Sequence, residues 1–155
     1  MSGVNSMDND TVNHSNDLSF MDSLVQLSFL VQSVLGRIGA EYDVSIVQIR
    51  LLGILRDREP SMLQLAQHLG LDKSSITGLI DRAERRGLVE RIASLSDRRG
   101  FNVRVTSAGR QLIHTAGREI ERRINALAEG LTERERSQFA ALAVQMLGTF
   151  AKSAD

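Results

Sequence analysis

The sequence predicts a mainly α fold carrying one small β wing, and three observations predict it. Apolar residues recur at three- and four-residue steps through most of the chain, the period of a helix with one buried face. A single stretch, residues 88–105, changes to the strand period of two. Ser or Thr followed three residues later by Asp, Gln or Glu marks several helix starts. The 155 residues amount to about one domain, and a hydrophobic content of 42% suffices for an ordinary core.

Residues 1–16 are rich in Asn, Asp and Ser without periodicity, and are expected to form a disordered tail. A first helix opens at Ser19, capped with Asp22, and carries Phe20, Leu24, Leu27, Val31, Val34, Leu35 and Ile38 on one face. Gly39 and Asp43 mark its end. Ser45 with Gln48 caps a second helix bearing Ile49, Leu52 and Leu55. Pro60 breaks the chain. Ser61 with Gln64 caps a short third helix that stops at Gly70, and Asp72 opens a fourth that runs to Arg86 and stops at Gly87. Leu88–Ile92 and Phe101–Val105 read as two strands joined by the polar loop Ser94–Gly100, a hairpin with a long tip. Thr106 caps a fifth helix with an Ile113, Ile120, Ile124, Leu127, Leu131 seam. Thr132 with Glu135 caps a sixth, faced by Phe139, Leu142, Ala143, Met146, Leu147 and Phe150.

Two short helices joined by a turn at Leu69-Gly70-Leu71-Asp72, followed at once by a basic hairpin, form the pattern of a winged helix-turn-helix. Leu65, Leu69, Ile76, Leu79, Ile80 and Ala83 are expected to lock the two helices together. That leaves Lys73, Ser74, Thr77, Gly78 and Asp81 on the opposite face of the fourth helix. These residues are small or polar, which suits entry into a major groove about 12 Å wide. Charge agrees with this. The chain's net charge is zero, yet residues 72–110 hold nine basic and five acidic residues while residues 1–44 hold one and six. Arg98 and Arg99 stand at the hairpin tip, where their forked donors suit phosphate oxygens or a narrow minor groove. Asp97 beside them reads as a brace for an arginine.

Other functions find little support. There is no cysteine, which excludes disulfides, thiolate metal sites and thiol switches. His14, His68 and His114 lie far apart, no compact ligand cluster suggests a metal, and no phosphate loop or nucleophile elbow suggests an enzyme or cofactor. No apolar run approaches the ~18 residues of a membrane span, and no secretion signal opens the chain. The cytoplasm is the expected location. A winged-helix interaction module that binds protein instead of DNA is the alternative reading.

Four stretches resemble the MarR family of bacterial transcription regulators: Val44–Leu52, Leu65–Thr77, Asp81–Arg91, and Asp97-Arg98-Arg99 with Val105-Thr106 and Gly109. The resemblance runs in order over about residues 18–150. Three positions depart from the family pattern. Gly78 stands where many members have an arginine, and Ala83 and Val105 stand where leucine is usual. The resemblance implies a homodimer in which residues 17–44 and 107–152 form a helical dimerisation region and residues 45–106 a winged helix-turn-helix domain. The helices outside the winged domain agree, since they carry more apolar face than one small domain covers. Double-stranded DNA is the implied partner, as a pseudo-palindromic operator. The implied contacts are Ser74, Ser75, Thr77 and the Gly78 position in the major groove. Arg98 and Arg99 would take the flanking backbone and minor groove, with Asp97 positioning Arg99. Lys73, Arg82, Arg86 and Arg91 are further candidates for phosphate. Such proteins are usually repressors released by a small aromatic anion, for which Arg50 is the candidate ligand contact.

Overall fold

The computed structural model describes residues 18–153, so the tail expected over residues 1–16 lies outside the described residues. Six helices and two strands follow one another among them: α1 (Phe20–Tyr42), α2 (Ile46–Leu55), α3 (Met62–Leu69), α4 (Lys73–Arg85), β1 (Val89–Ala93), β2 (Phe101–Val105), α5 (Ser107–Leu127) and α6 (Glu133–Ser153).

Each helix begins where its own sequence offers a side-chain acceptor to the orphan N–H groups of the first turn. Ser19 accepts from the N–H of Asp22, Asp72 from Ser75 and Thr106 from Gly109. Ser45 with Gln48, Ser61 with Gln64 and Thr132 with Glu135 form reciprocal capping boxes. The exits are equally local. Gly70 turns the chain out of α3 at φ 64°, a left-handed conformation that a side chain would strain. After α4, the N–H groups of Gly87 and Leu88 return to the carbonyls of Glu84 and Ala83 in a Schellman turn. Leu88 therefore belongs to the helix exit, and β1 begins one residue later than expected.

The strands pair antiparallel, with Val89 opposite Val105 and Arg91 opposite Val103. Directly across the hairpin, Arg104 donates to Glu90 at 2.6 Å. Pro60 and Ser61 lie along the outer edge of β2, where the N–H of Val103 donates to the Pro60 carbonyl at 2.9 Å. One core runs through this region: Leu51, Leu52 and Leu55 of α2, Leu65 and Leu69 of α3, Ile76, Leu79, Ile80 and Ala83 of α4, then Leu88, Val89, Val103 and Val105. All six residues expected to lock the helix pair are buried. The face of α2 differs from expectation. Leu51 is fully buried and Ile49 only half so, because α2 is packed by α1, α3, α5 and β2 together and has little solvent face to define.

α5 sits on the hairpin at a point of close approach. A Cβ on Gly109 would stand 2.1 Å from the Leu88 carbonyl oxygen and 2.5 Å from a Val105 methyl. The Leu88 carbonyl also accepts from the N–H of Thr106. Farther along, α5 is tied to α1 by Arg123, which donates to both oxygens of Glu41 at 2.7 and 2.9 Å and to Glu119 at 2.6 Å. Hydrogen bonds from Arg122, then Arg123, pull the Glu119 carboxyl down to about 2 from its ordinary 4.5.

The outer helices are exposed. No residue of α6 is buried among the described ones, and Phe139, Leu142, Leu147 and Phe150 of its expected apolar face stand open. On α1 the expected face is half-buried from Leu27 to Leu35 and closes at Ile38. A second apolar stripe, Met21, Val25 and Phe29, is exposed. Two apolar stripes make α1 more hydrophobic than expected. It has 23 residues and holds an 18-residue window of mean hydropathy 1.2, long and apolar enough to cross a bilayer by those measures. The end of α1 is instead seated in protein, with Ile38 and Gly39 buried.

Two predictions follow from this packing. Gly→Ala in a helix interior ordinarily stabilises by about 1 kcal/mol, and Gly117→Ala, which meets nothing within 4 Å, should raise the thermal midpoint. Gly109→Ala should lower it, by on the order of 1–3 kcal/mol of strain; thermal melts by circular dichroism compare the two. The lowered pKa of Glu119 means its charge stabilises the fold above pH 4.5, an effect lost as pH falls towards 2. Glu119→Gln should melt below the native chain at neutral pH and converge with it near pH 2.

Candidate nucleic-acid interface

α4 is buried on one side and open on the other. Lys73, Ser74, Ser75, Thr77 and Arg82 are exposed, and Gly78 and Asp81 half-buried, as the apolar period requires once Ile76, Leu79, Ile80 and Ala83 face the core. The helix has 13 residues, about 20 Å of length at 1.5 Å per residue. Its first turn is rigid. The Asp72 carboxylate accepts from the Ser75 N–H at 2.7 Å and from the Ser74 hydroxyl at 3.0 Å. These bonds, the Ser75 N–H first, hold its pKa below the ordinary carboxylate value. Thr77 donates its hydroxyl to the Lys73 carbonyl at 2.8 Å, keeping acceptor capacity outward.

The hairpin stands beside α4, and the two enclose a concavity of about 990 Å³. Lys73 and Thr77 line it from α4, Leu63 from α3, and Arg91, Ser96 and Asp97 from the wing. Leu63 and Phe101, both largely exposed on this surface, were not among the sequence-derived candidates. Their side chains reach no core because Leu63 lies in the first turn of α3 and Phe101 at the distal end of the hairpin.

The wing tip is shaped by its own polar side chains. The Ser94 hydroxyl accepts from the N–H groups of Ser96 and Asp97, and the Gly100 N–H returns to the Asp97 carbonyl. Asp97 accepts at 3.1 Å from the backbone N–H of Arg99. The carboxylate thus braces the turn and holds Arg99 through its backbone N–H. Arg98 and Arg99 are exposed and form no ion pair among the described residues.

Two further arginines expected at phosphate have partners within the fold. Arg86 donates to the carbonyls of Tyr42 and Asp43, so it satisfies the C-terminal end of α1. Arg91 bridges Asp81 at 2.6 Å and Glu84 at 3.1 Å, and its backbone N–H also donates to Glu84. It is a half-buried staple between α4 and the wing. Both sets of partners come from other elements, which spacing along the chain does not reveal.

A second cleft, about 810 Å³, separates α2 from α5. Leu52, Ile113 and Ile120 give it apolar walls, and Arg56, Arg110 and Arg118 give it cations, with His114 beside them and Glu121 the one acid. Arg50 does not line it. Ile49 faces the cleft, and the next residue is turned by about 100°, so Arg50 lies exposed near Arg58 and His68. These polar cleft residues were missed although Arg110, His114 and Arg118 recur at four-residue steps, a legible helical stripe.

The comparisons with known proteins agree with this geometry. Residues 42–100, spanning α2 to the wing, match the model of the MarR family. The HTH-type transcriptional regulator PecS of Dickeya dadantii (strain 3937) is 27% identical over 124 residues, covering 77% of this chain and 75% of that protein. The crystal structure of the S. aureus MepR–DNA complex is similar at a TM-score of 0.72 and 20% identity, over 86% of this chain and 99% of that one. NadR, crystallised with 4-hydroxyphenylacetate, is similar at a TM-score of 0.71 and 23% identity, over 85% of this chain and 94% of that one. Structural similarity at such identities establishes a shared winged-helix fold.

Proposed function

From the match of residues 42–100 to the MarR family model and the similarity to PecS, we propose that the chain is a MarR-family regulator: a sequence-specific DNA-binding transcriptional regulator, a cytoplasmic homodimer released from its operator by a small anion. The carrying observation is the pair of free arginines, Arg98 and Arg99, on a braced wing tip beside the exposed polar face of α4. α4 enters the major groove with Ser74, Ser75 and Thr77 towards base edges. The tip arginines take the flanking phosphates or minor groove, and Lys73 a phosphate. MepR, of the same fold, has been solved on DNA.

The exposed apolar surface supports the dimer. Phe20, Met21 and Phe29 on α1 and Leu142, Leu147 and Phe150 on α6 are all more than half exposed. A patch of that extent is ordinarily covered by a partner. A two-fold copy buries it and sets two α4 helices about one DNA turn, ~34 Å, apart on a pseudo-palindromic site. The α2–α5 cleft supports a ligand that is apolar with a negative charge, and NadR was crystallised with such a molecule. Because α5 carries the helical frame and α2 the winged domain, a ligand held between them favours one spacing of the two recognition helices over another.

Fluorescence-anisotropy titration against a pool of short duplexes at two salt concentrations tests the reading. Tight, salt-sensitive binding of one dimer per duplex is expected. No binding at low salt by a folded dimer would favour a winged-helix interaction module. Arg99→Ala should weaken binding to every duplex and reduce the salt slope by about 1. Among small aromatic carboxylates, those that lower operator affinity should lose their effect in Arg110→Gln and keep it in Arg50→Gln. The reverse pattern would move the ligand site to the far side of α2.

A further inference from the structure

We propose that Arg82 reads a guanine in the major groove, and that Gly78 is the notch in α4 that lets it do so. The proposal rests on the reading of α4 as the helix that enters DNA.

Glycine is among the least favourable residues in a helix interior, and Gly78 lies in the middle of α4. No backbone conformation demands it, since only Gly70 and Gly87 among the described glycines adopt positive φ. No neighbouring backbone presses on it either. Apart from its chain neighbours and the helix's own backbone, the one atom within 4 Å of a Cβ built at this position is Nη1 of Arg82, at 3.2 Å. The space a side chain would fill at position 78 is thus bordered by the Arg82 guanidinium alone.

Side chains on a helix lean towards its N-terminus, and residues four apart share a face. Arg82 accordingly lies back along the stripe Ser74, Gly78, Arg82. Its charged head is brought from the flank to the middle of the exposed face, a full turn nearer the end of α4 that leads into the groove. Arg82 is exposed and forms no ion pair among the described residues. Its neighbours differ. Arg85 donates to the Asp81 carbonyl, Arg86 to the end of α1, and Arg91 to Asp81 and Glu84. The adjacent acid, Asp81, is engaged by Arg91 and turned towards the wing. Arg82 therefore keeps its donor fork free at the centre of a helix face otherwise made of small residues. A planar fork centred on that face suits the O6 and N7 acceptors of guanine, whereas phosphates run along its two sides.

The test begins with duplexes selected from a random pool by the unmodified protein. Arg82→Ala should lose the preference at one G·C pair in each half-site, by roughly ten-fold or more, with non-cognate affinity and salt slope nearly unchanged. Gly78→Ala should weaken preference at the same pair, because the new methyl displaces the guanidinium, while melting at or above the native midpoint. Equal loss on all duplexes with a salt slope lowered by about 1 in Arg82→Ala would make Arg82 a phosphate contact and overturn the proposal, leaving DNA binding intact. Failure of the unmodified protein to select any sequence would instead overturn the reading of α4 on which the proposal stands. Unchanged selectivity in Gly78→Ala, beside its loss in Arg82→Ala, would overturn the part assigned to the notch.

Discussion

Ile76, Leu79, Ile80 and Ala83 lie on one side of α4, and their burial against α2, α3 and the hairpin is what the other features depend on. Once that side is committed, the helix has no rotational freedom, and Ser74, Gly78 and Asp81 must face outward. The same packing sets the exit of α4. Ala83, buried to 1% exposure, accepts through its carbonyl from Leu88, and Leu88 is itself drawn into the core. The Leu88 carbonyl in turn receives Thr106 and presses on Gly109, so the core of the winged domain also sets where α5 begins its path. A close-packed interior transmits position in this way because it has few voids in which to relax.

Arginine does most of the polar work, and its uses divide by what lies within reach. Arg86, Arg91, Arg104 and Arg123 each find carbonyls or carboxylates on a neighbouring element and hold elements together. Arg82, Arg98 and Arg99 find no acid and remain open towards solvent on the surface proposed to meet DNA. The division reconciles zero net charge with a polyanionic partner. Acids neutralise Arg91, Arg104 and Arg123, and three of the arginines left without an acid lie where the wing and α4 converge. Arg91 matters most to that arrangement, since its two carboxylates fix the wing against α4 and with it the distance between tip and helix.

Much of this was legible in the chain. Every helix start read from a cap lies at that cap, because Ser19, Ser45, Ser61, Asp72, Thr106 and Thr132 act on an N–H three residues away. The helix-turn-helix core was legible for the same reason, since its members recur at the helical period. The legible part fails where an element is packed from several sides. α2 buries Leu51 rather than Ile49, and α1 carries a second apolar stripe through Met21, Val25 and Phe29 that a one-faced reading passes over.

The sequence by itself determined the element order, the caps, the hairpin and the one-sided burial of α4, because caps and apolar periods are patterns written within a few residues along the chain. The tertiary structure alone decided which arginines are free. Arg86 reaches carbonyls 43 and 44 residues away at the end of α1, Arg123 reaches Glu41 from 82 residues away, and Arg50 is turned from a cleft that Arg110 lines from another helix. A long, flexible side chain with five donors takes whatever acceptor the fold brings within reach, and no spacing along the chain encodes which acceptor that is.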